Sequence, residues 1–233
     1  MELPHRNLTQ QLAHELGQAI LQGKFVIGSN LPSEADISKQ YTISRTATRE
    51  AVKMLTAKGL ISSRPRQGIR VLDISNWSLF DPDVLNWILT SKPDLSMLKK
   101  FQELRIAIEP QAAYLAANKI QTEELITMES ALTVICNEDN STDDILAAKI
   151  LFYRTILFAS KNPFFIQLQS FTDTILKLTA RFTNQISLPT THKNEQALFE
   201  NIKNNNPQPA KELALKIQLH NLSSISQKIN LIG

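Results

Sequence analysis

Four side chains in the first quarter of the chain have types and spacing that suit one kind of chemistry. At roughly 100° of rotation per helical position, Arg45, Thr46, Arg49 and Lys53 share one side of a helix, while Ala47, Ala51, Met54 and Leu55 share the other. An arginine fork reads guanine O6 and N7 bidentately, and hydroxyls and helix N-terminal amides suit phosphate oxygens. The ordinary reading of such a face is a solvated helix surface. Three features weigh against it. Two short helices precede at a tight turn, the cations gather at the N-terminal end, and a second basic segment with Arg64, Arg66 and Arg70 follows at once.

The elements that must position these groups are legible. Leu8, Leu12, Leu16 and Ile20 recur every four residues and predict a helix over 7–22, with Gly23 as its stop. Ser33-Glu34-Ala35-Asp36 resembles a capping box and opens a short helix to about residue 41. Thr42-Ile43-Ser44 is a turn, Ser44 is placed as the N-cap of the third helix, and Gly59 ends it. Residues 60–64 and 69–72 read as two strands joined across Pro65-Arg66-Gln67-Gly68. Three helices and a basic hairpin in this order predict a winged helix-turn-helix, whose second motif helix puts its first residues into the major groove of double-stranded DNA.

Charge supports the division. The total of +3 is uninformative, but residues 1–75 hold ten basic and six acidic groups, and the other 158 residues hold 15 and 16. Lone Cys136 allows no intrachain disulfide and reads as a buried thiol, so a reducing cytoplasm is expected. The first twelve residues show no signal-peptide pattern, and no run of 18 uncharged apolar residues occurs, so no membrane partner is expected. Six glycines disfavour a glycine-rich dinucleotide or phosphate loop.

Residues 74–93 read as an anchored linker between a DNA-binding domain at 1–73 and a second domain at 94–233. Trp77, Leu79, Phe80, Val84, Leu85 and Trp87 make the linker too apolar for a loose tether, and both tryptophans are expected to pack in a core. Beyond it every segment reads helical: 94–118, bent or broken at Pro110, then 122–137, 143–160, 163–187, 191–204 and 207–230. The predicted fold class is mainly α, a winged helix-turn-helix followed by an antiparallel all-α bundle.

At this point the residues resemble a family. Leu31-Pro32-Ser33-Glu34, Ser44-Arg45-Thr46-Ala47-Thr48-Arg49-Glu50-Ala51, Leu55…Gly59-Leu60-Ile61 and Arg66-Gln67-Gly68 look like the head of GntR-type bacterial transcription regulators. Leu104-Arg105…Glu109-Pro110…Ala112-Ala113…Ala116-Ala117, Ala159…Asn162-Pro163 and Ile202…Asn206-Pro207…Ala210 resemble the effector (FCD) domain of the FadR-like subfamily. Asp81-Pro82-Asp83-Val84-Leu85…Trp87 resembles the linker of members that sense sugar acids. The resemblance implies that Ser44, Arg45, Thr46 and Arg49 contact operator phosphates and bases and that Gly68 lies at a wing tip entering the minor groove. Lys53 and Arg66 complete the expected DNA set. Where relatives carry an arginine after Ser-Glu, this chain has Ala35, which implies a changed operator preference.

Many members hold a divalent metal between an Asp-x-x-x-His pair and two later histidines. Aligned on the shared motifs, those positions become Lys149, Tyr153, Glu195 and Ile217, with His192 and His220 each three residues away. No metal or other cofactor is therefore expected. Lys149 and Tyr153, spaced i, i+4, share a helix face, and Arg105 matches a position that reaches the effector. Arg105, Lys149, Tyr153, Glu195 and His220 form the expected set for a small anionic metabolite, held without a bridging metal. The bland alternative is that Lys149 makes a plain ion pair with Glu195 or Asp144 and that His192 and His220 are surface or core-edge residues.

The resulting expectation is a homodimeric regulator, a repressor by the commoner behaviour of the family, released from a palindromic operator by a carboxylate effector. A body that only dimerises is the second reading. An enzyme is the third, and it finds no support in a nucleophile–base set, metal spacing or phosphate loop.

Overall fold

The structure, a computed structural model, describes residues 7–91, 95–137, 139–184 and 192–232. The chain divides into two compact units, Met1–Lys92 and Pro93–Gly233.

The first unit opens with α1 (Leu8–Leu21), which starts in a capping box between Asn7 and Gln10. It ends where Gly23, at φ 72°, lets its own N–H reach the Ile20 carbonyl and that of Lys24 reach Ala19. This paired closure is the Schellman arrangement, which needs a left-handed residue. Helix α1 buries Leu12, Leu16 and Ile20, while Leu8, the first of the expected stripe, is exposed. Helices α2 (Glu34–Gln40) and α3 (Arg45–Ala57) are capped by Ser33 and Ser44. Gly59, at φ 74°, closes α3 as Gly23 closes α1: Gly59 N–H reaches Thr56 and Leu60 N–H reaches Leu55.

Strands β2 (Ile61–Arg64) and β3 (Gly68–Val71) form the expected hairpin, and a two-residue strand β1 (Asn30–Leu31) adds to β3, giving antiparallel order β1-β3-β2. Two residues carry too little alternation for β1 to be read from sequence. Ile61, Ile69 and Val71 face the core of this unit, while Arg64 and Arg70 are exposed.

The expected linker holds a helix of its own, α4 (Pro82–Thr90), with Pro82 at its first position and the Asp81 carboxylate accepting from the N–H groups of Asp83 and Val84. Trp87 of α4 is buried against α1, where a Cβ on Gly17 would lie 2.6 Å from two of its ring carbons. Only glycine admits the indole there. Trp77 is half-buried and donates from Nε1 to the Leu72 carbonyl at 3.0 Å, whereas Phe80 is exposed.

The second unit is helical throughout its described residues: α5 (Leu95–Lys119), α6 (Thr122–Cys136), α7 (Thr142–Ala159), α8 (Pro163–Ile166), α9 (Gln169–Asn184), α10 (Lys193–Lys203) and α11 (Pro207–Ile232). Helix α5 runs unbroken through Pro110, so of the bend or break expected there the break does not occur. One helix expectation needs correction: the single helix expected over 163–187 is two, because the turn at Gln167–Leu168 separates α8 from α9; residues 185–187 lie outside the described residues. Ala112, Ala113, Ala116 and Ala117 of α5 join the core with Phe152, Ile156, Phe199 and Ile217. Small residues let α11 lie close along α5, and the pairs Lys211–Gln111 and Gln102–Gln218 show the two running antiparallel. Cys136, expected to be buried, ends α6 in an exposed position.

Candidate DNA interface and effector cluster

Helix α3 presents its polar side as expected. Ser44 Oγ accepts from Ala47 N–H at 3.2 Å and so pins the first turn, which leaves the hydroxyl hydrogen to donate outward. Ser44, Arg45, Thr46, Arg49 and Lys53 are all exposed. Thr48, Ala51, Val52 and Leu55 make up the buried side, so the core side is centred on Thr48 and Val52 more than the helical periodicity suggests. Thr48 can be buried because its hydroxyl donates to the Ser44 carbonyl at 3.1 Å. Lys53 is paired with Glu50 at 2.8 Å, both well exposed, an arrangement that stabilises little and exchanges readily for another anion. Among the described residues neither Arg45 nor Arg49 is in an ion pair.

The turn of the hairpin carries Arg66 at φ 66°, exposed beyond the end of β2, and Gly68 at φ 78° begins β3. Nothing lies within 4 Å of the place a Gly68 Cβ would take, so glycine serves the backbone angle there. Ala35 is exposed on α2.

In the second unit the structure brings Arg105, Tyr153, Glu195 and Lys149 together. Arg105 is only 3% exposed on α5 and its Nε and Nη2 meet both carboxylate oxygens of Glu109 at 2.5 and 3.0 Å. Glu109 also accepts from Gln218 Nε2 at 2.7 Å, and Gln218 in turn accepts from Gln102 at 2.7 Å. The Arg105 guanidinium lies 5.1 Å from the centre of the Tyr153 ring. Burial works against the Arg105 cation, but the charge and hydrogen bonds of Glu109 outweigh it and raise its pKa above the ordinary value. Burial, followed by the nearby Glu195 carboxylate, pushes the Tyr153 phenol well above its ordinary range, so it is a neutral hydroxyl at physiological pH. Lys149 Nζ lies 3.3 Å from Glu195 Oε1 and ties α7 to α10, while Asp144, its other possible partner, accepts from the Ser141 hydroxyl at 2.6 Å.

Two cations and two carboxylates therefore share the cluster, and each cation already has an acid. Glu109, Gln218 and Gln102 were not among the expected residues, although the i, i+4 spacing of Arg105 and Glu109 is visible in the sequence. His220 is not part of the cluster. Helix α11 turns Ile217 and Gln218 inward, and two positions further on His220 is exposed. His192, just before α10, is half-buried, with Nδ1 shielded from solvent and without a hydrogen-bond partner among the described residues.

These residues do not fit a divalent metal. An ammonium and a phenol stand at two of the ligand positions, Glu195 is turned to the ammonium, and no group of three or more His, Cys, Asp or Glu among the described residues could hold an ion.

Among the described residues no helix is long and apolar enough to cross a membrane. A model of the bacterial regulatory proteins of the gntR family matches residues 8–71, and a model of the FCD domain matches residues 101–218. The chain is 36% identical to the HTH-type transcriptional regulator YieP of Escherichia coli K12 over 68% of this chain and 70% of that one. It is 29% identical to the galactonate operon transcriptional repressor of the same strain over 90% of this chain and 93% of the relative. A structure of Lar of Listeria monocytogenes covers 97% of the chain, and the chain 99% of Lar, with a TM-score of 0.55 at 16% identity. Escherichia coli McbR/YncC aligns over 96% and 99% with a TM-score of 0.53 at 17% identity. These two structures share the fold. With a matching head, a matching body and a relative of this identity, the chain belongs to the GntR family of transcription regulators, in the FadR-like branch that carries an FCD domain, and is not an enzyme.

Proposed function

We propose that the protein acts in the cytoplasm as a homodimeric repressor whose two heads read the half-sites of a palindromic operator. The observation that carries this reading is the start of α3, where Arg45 and Arg49 stand exposed and without ion pairs among the described residues, beside Ser44 and Thr46 at a capped N-terminus. Twofold symmetry in the protein matches twofold symmetry in the site. Lys53 and Arg66 add charge at either side of this set, and Gly68 supports the turn that carries Arg66 toward the minor groove.

The body takes a small carboxylate that shifts the population of head arrangements. Sugar acids are the first class to test, because one relative is named for the galactonate operon. No metal takes part. The ligand carboxylate displaces Glu195 from Lys149 or Glu109 from Arg105, and Tyr153 donates its hydroxyl. The internal neutralisation of both cations favours a second reading, in which the body only dimerises.

Selection of binding sites from random duplex DNA, followed by footprinting, tests the first part: a symmetric protected site is expected, and an asymmetric or absent one contradicts it. Thermal melting of the full chain with D-galactonate and other sugar acids tests the second. A native-state ligand at about 100-fold over its Kd stabilises by roughly 2.7 kcal/mol, so a clear upward shift identifies a sensor. No shift across the series, with DNA binding intact, selects the dimeriser.

A further inference from the structure

The outer face of the head's sheet carries a basic groove that lies apart from α3 and runs from the wing tip back along the strands, where Arg64 and Arg70 have been given no role. Its volume is about 450 Å3, and Asn30, Ser62, Arg64, Gln67, Gly68 and Arg70 line it. Strand register explains the grouping. Ser62 and Asn30 pair with Arg70 from the two sides, and Arg64 pairs with Gly68, so all five project from the face opposite Ile61, Ile69 and Val71. Every partner across from an arginine is small, and the vacant side of Gly68 keeps the space open.

Arg70 is held in place. Its Nε donates to the Gly28 carbonyl at 2.8 Å, which leaves the two terminal nitrogens to face a ligand. No carboxylate lines the groove, and among the described residues neither Arg64 nor Arg70 is in an ion pair. Two guanidinium forks with hydroxyl and amide donors between them suit phosphate oxygens. Gln67 belongs to the hairpin turn as well as to the groove, so the surface continues directly from the wing tip.

We infer that this outer sheet face is a further DNA-binding surface, in which Arg64 and Arg70 bind backbone phosphates beside the groove the wing enters. The inference rests on the DNA-binding reading above. Phosphate binding of this kind positions the head and lends affinity without reading sequence.

The test uses the full-length protein on one operator duplex, with anisotropy measured over a range of salt. The pair Arg64→Gln and Arg70→Gln should weaken binding by about tenfold or more and reduce the slope of log K against log salt by roughly 0.9 for each phosphate no longer neutralised. The ranking of operator variants should stay as in the parent. Arg64→Lys with Arg70→Lys should recover most of the slope, since the charge returns. Slope and affinity unchanged in the glutamine pair, with binding lost in Arg45→Ala/Arg49→Ala, overturn the groove and leave the recognition helix standing. Loss that lysine does not restore also overturns it, because the arginines then serve the hairpin fold. Wild-type binding in both sets removes the DNA reading on which the inference rests.

Discussion

Lys58, which caps the C-terminal end of α3, grips Asp81, the residue that caps the start of α4. Its Nζ lies 2.7 and 2.8 Å from the two Asp81 oxygens and 2.8 Å from Asp83. The Ser78 N–H donates to the Lys58 carbonyl at 2.9 Å, and the ammonium sits 5.8 Å from the centre of the Trp87 ring. One side chain thus holds α3 and α4 to each other. Burial opposes the Lys58 charge, but the Asp81 and Asp83 bonds outweigh it and raise its pKa. Lys58→Met should lower the stability of the head by about 1–2 kcal/mol, the partial exposure of the acids limiting the loss. Urea titration followed by tryptophan fluorescence reads this directly, because Trp77 and Trp87, the chain's two tryptophans, flank the clamp in sequence.

Gly17 is where α1 admits Trp87. A methyl group there would meet Cε3 and Cζ3 at 2.6 Å, and the indole is 2% exposed, with little room to move. Gly17→Ala should gain helix propensity yet lose about 1–3 kcal/mol overall through overpacking. A higher urea midpoint in this variant would show that α4 does not dock as described.

Glu109 neutralises a guanidinium buried in the body. Glu109→Gln leaves the Arg105 charge without its acid and should cost roughly 3–5 kcal/mol, whereas Arg105→Met combined with Glu109→Leu should cost far less. Denaturant midpoints of Arg105→Met, Glu109→Leu and the two together form the cycle that checks it, with Glu109→Gln as the variant that keeps the size of the side chain. Equal losses in single and double variants would show that the pair acts through packing.

High pH should loosen both units. Lys58 and Tyr153 hold their protons to higher pH in the folded chain than when unfolded. Their contribution is whole below the unfolded values near about 10 and is lost as pH rises through the folded ones, because the unfolded chain sheds these protons first. Melting between pH 8 and 11 should show stability falling above about 10, with a shallower fall in Tyr153→Phe. Identical profiles for parent and variant would contradict the role given to the phenol.

The head is legible in the sequence because its signals are local. Caps at Ser33 and Ser44, glycine stops at 23 and 59 and a period of four in α1 are set by neighbours along the chain. What escapes depends on distant partners. Strand β1 exists only because β3 lies beside it, and α4 is fixed by an indole fitting over Gly17 some seventy positions away. In the body, the Lys149–Glu195 pair is the plain alternative that charge and alignment name in advance. The chain of Gln102, Gln218 and Glu109 is not, because neutral amides give no signal until two helices run antiparallel beside each other.

The proposal that the head recognises DNA through the exposed start of α3 is measured most directly by salt-dependent operator binding of Arg45→Ala and Arg49→Ala variants. A loss of about tenfold or more is predicted for whichever arginine reads a base, with relaxed sequence preference, and a lower salt slope for one that holds a phosphate. Affinity, preference and slope all equal to those of the parent would contradict the assignment of α3 as the recognition helix.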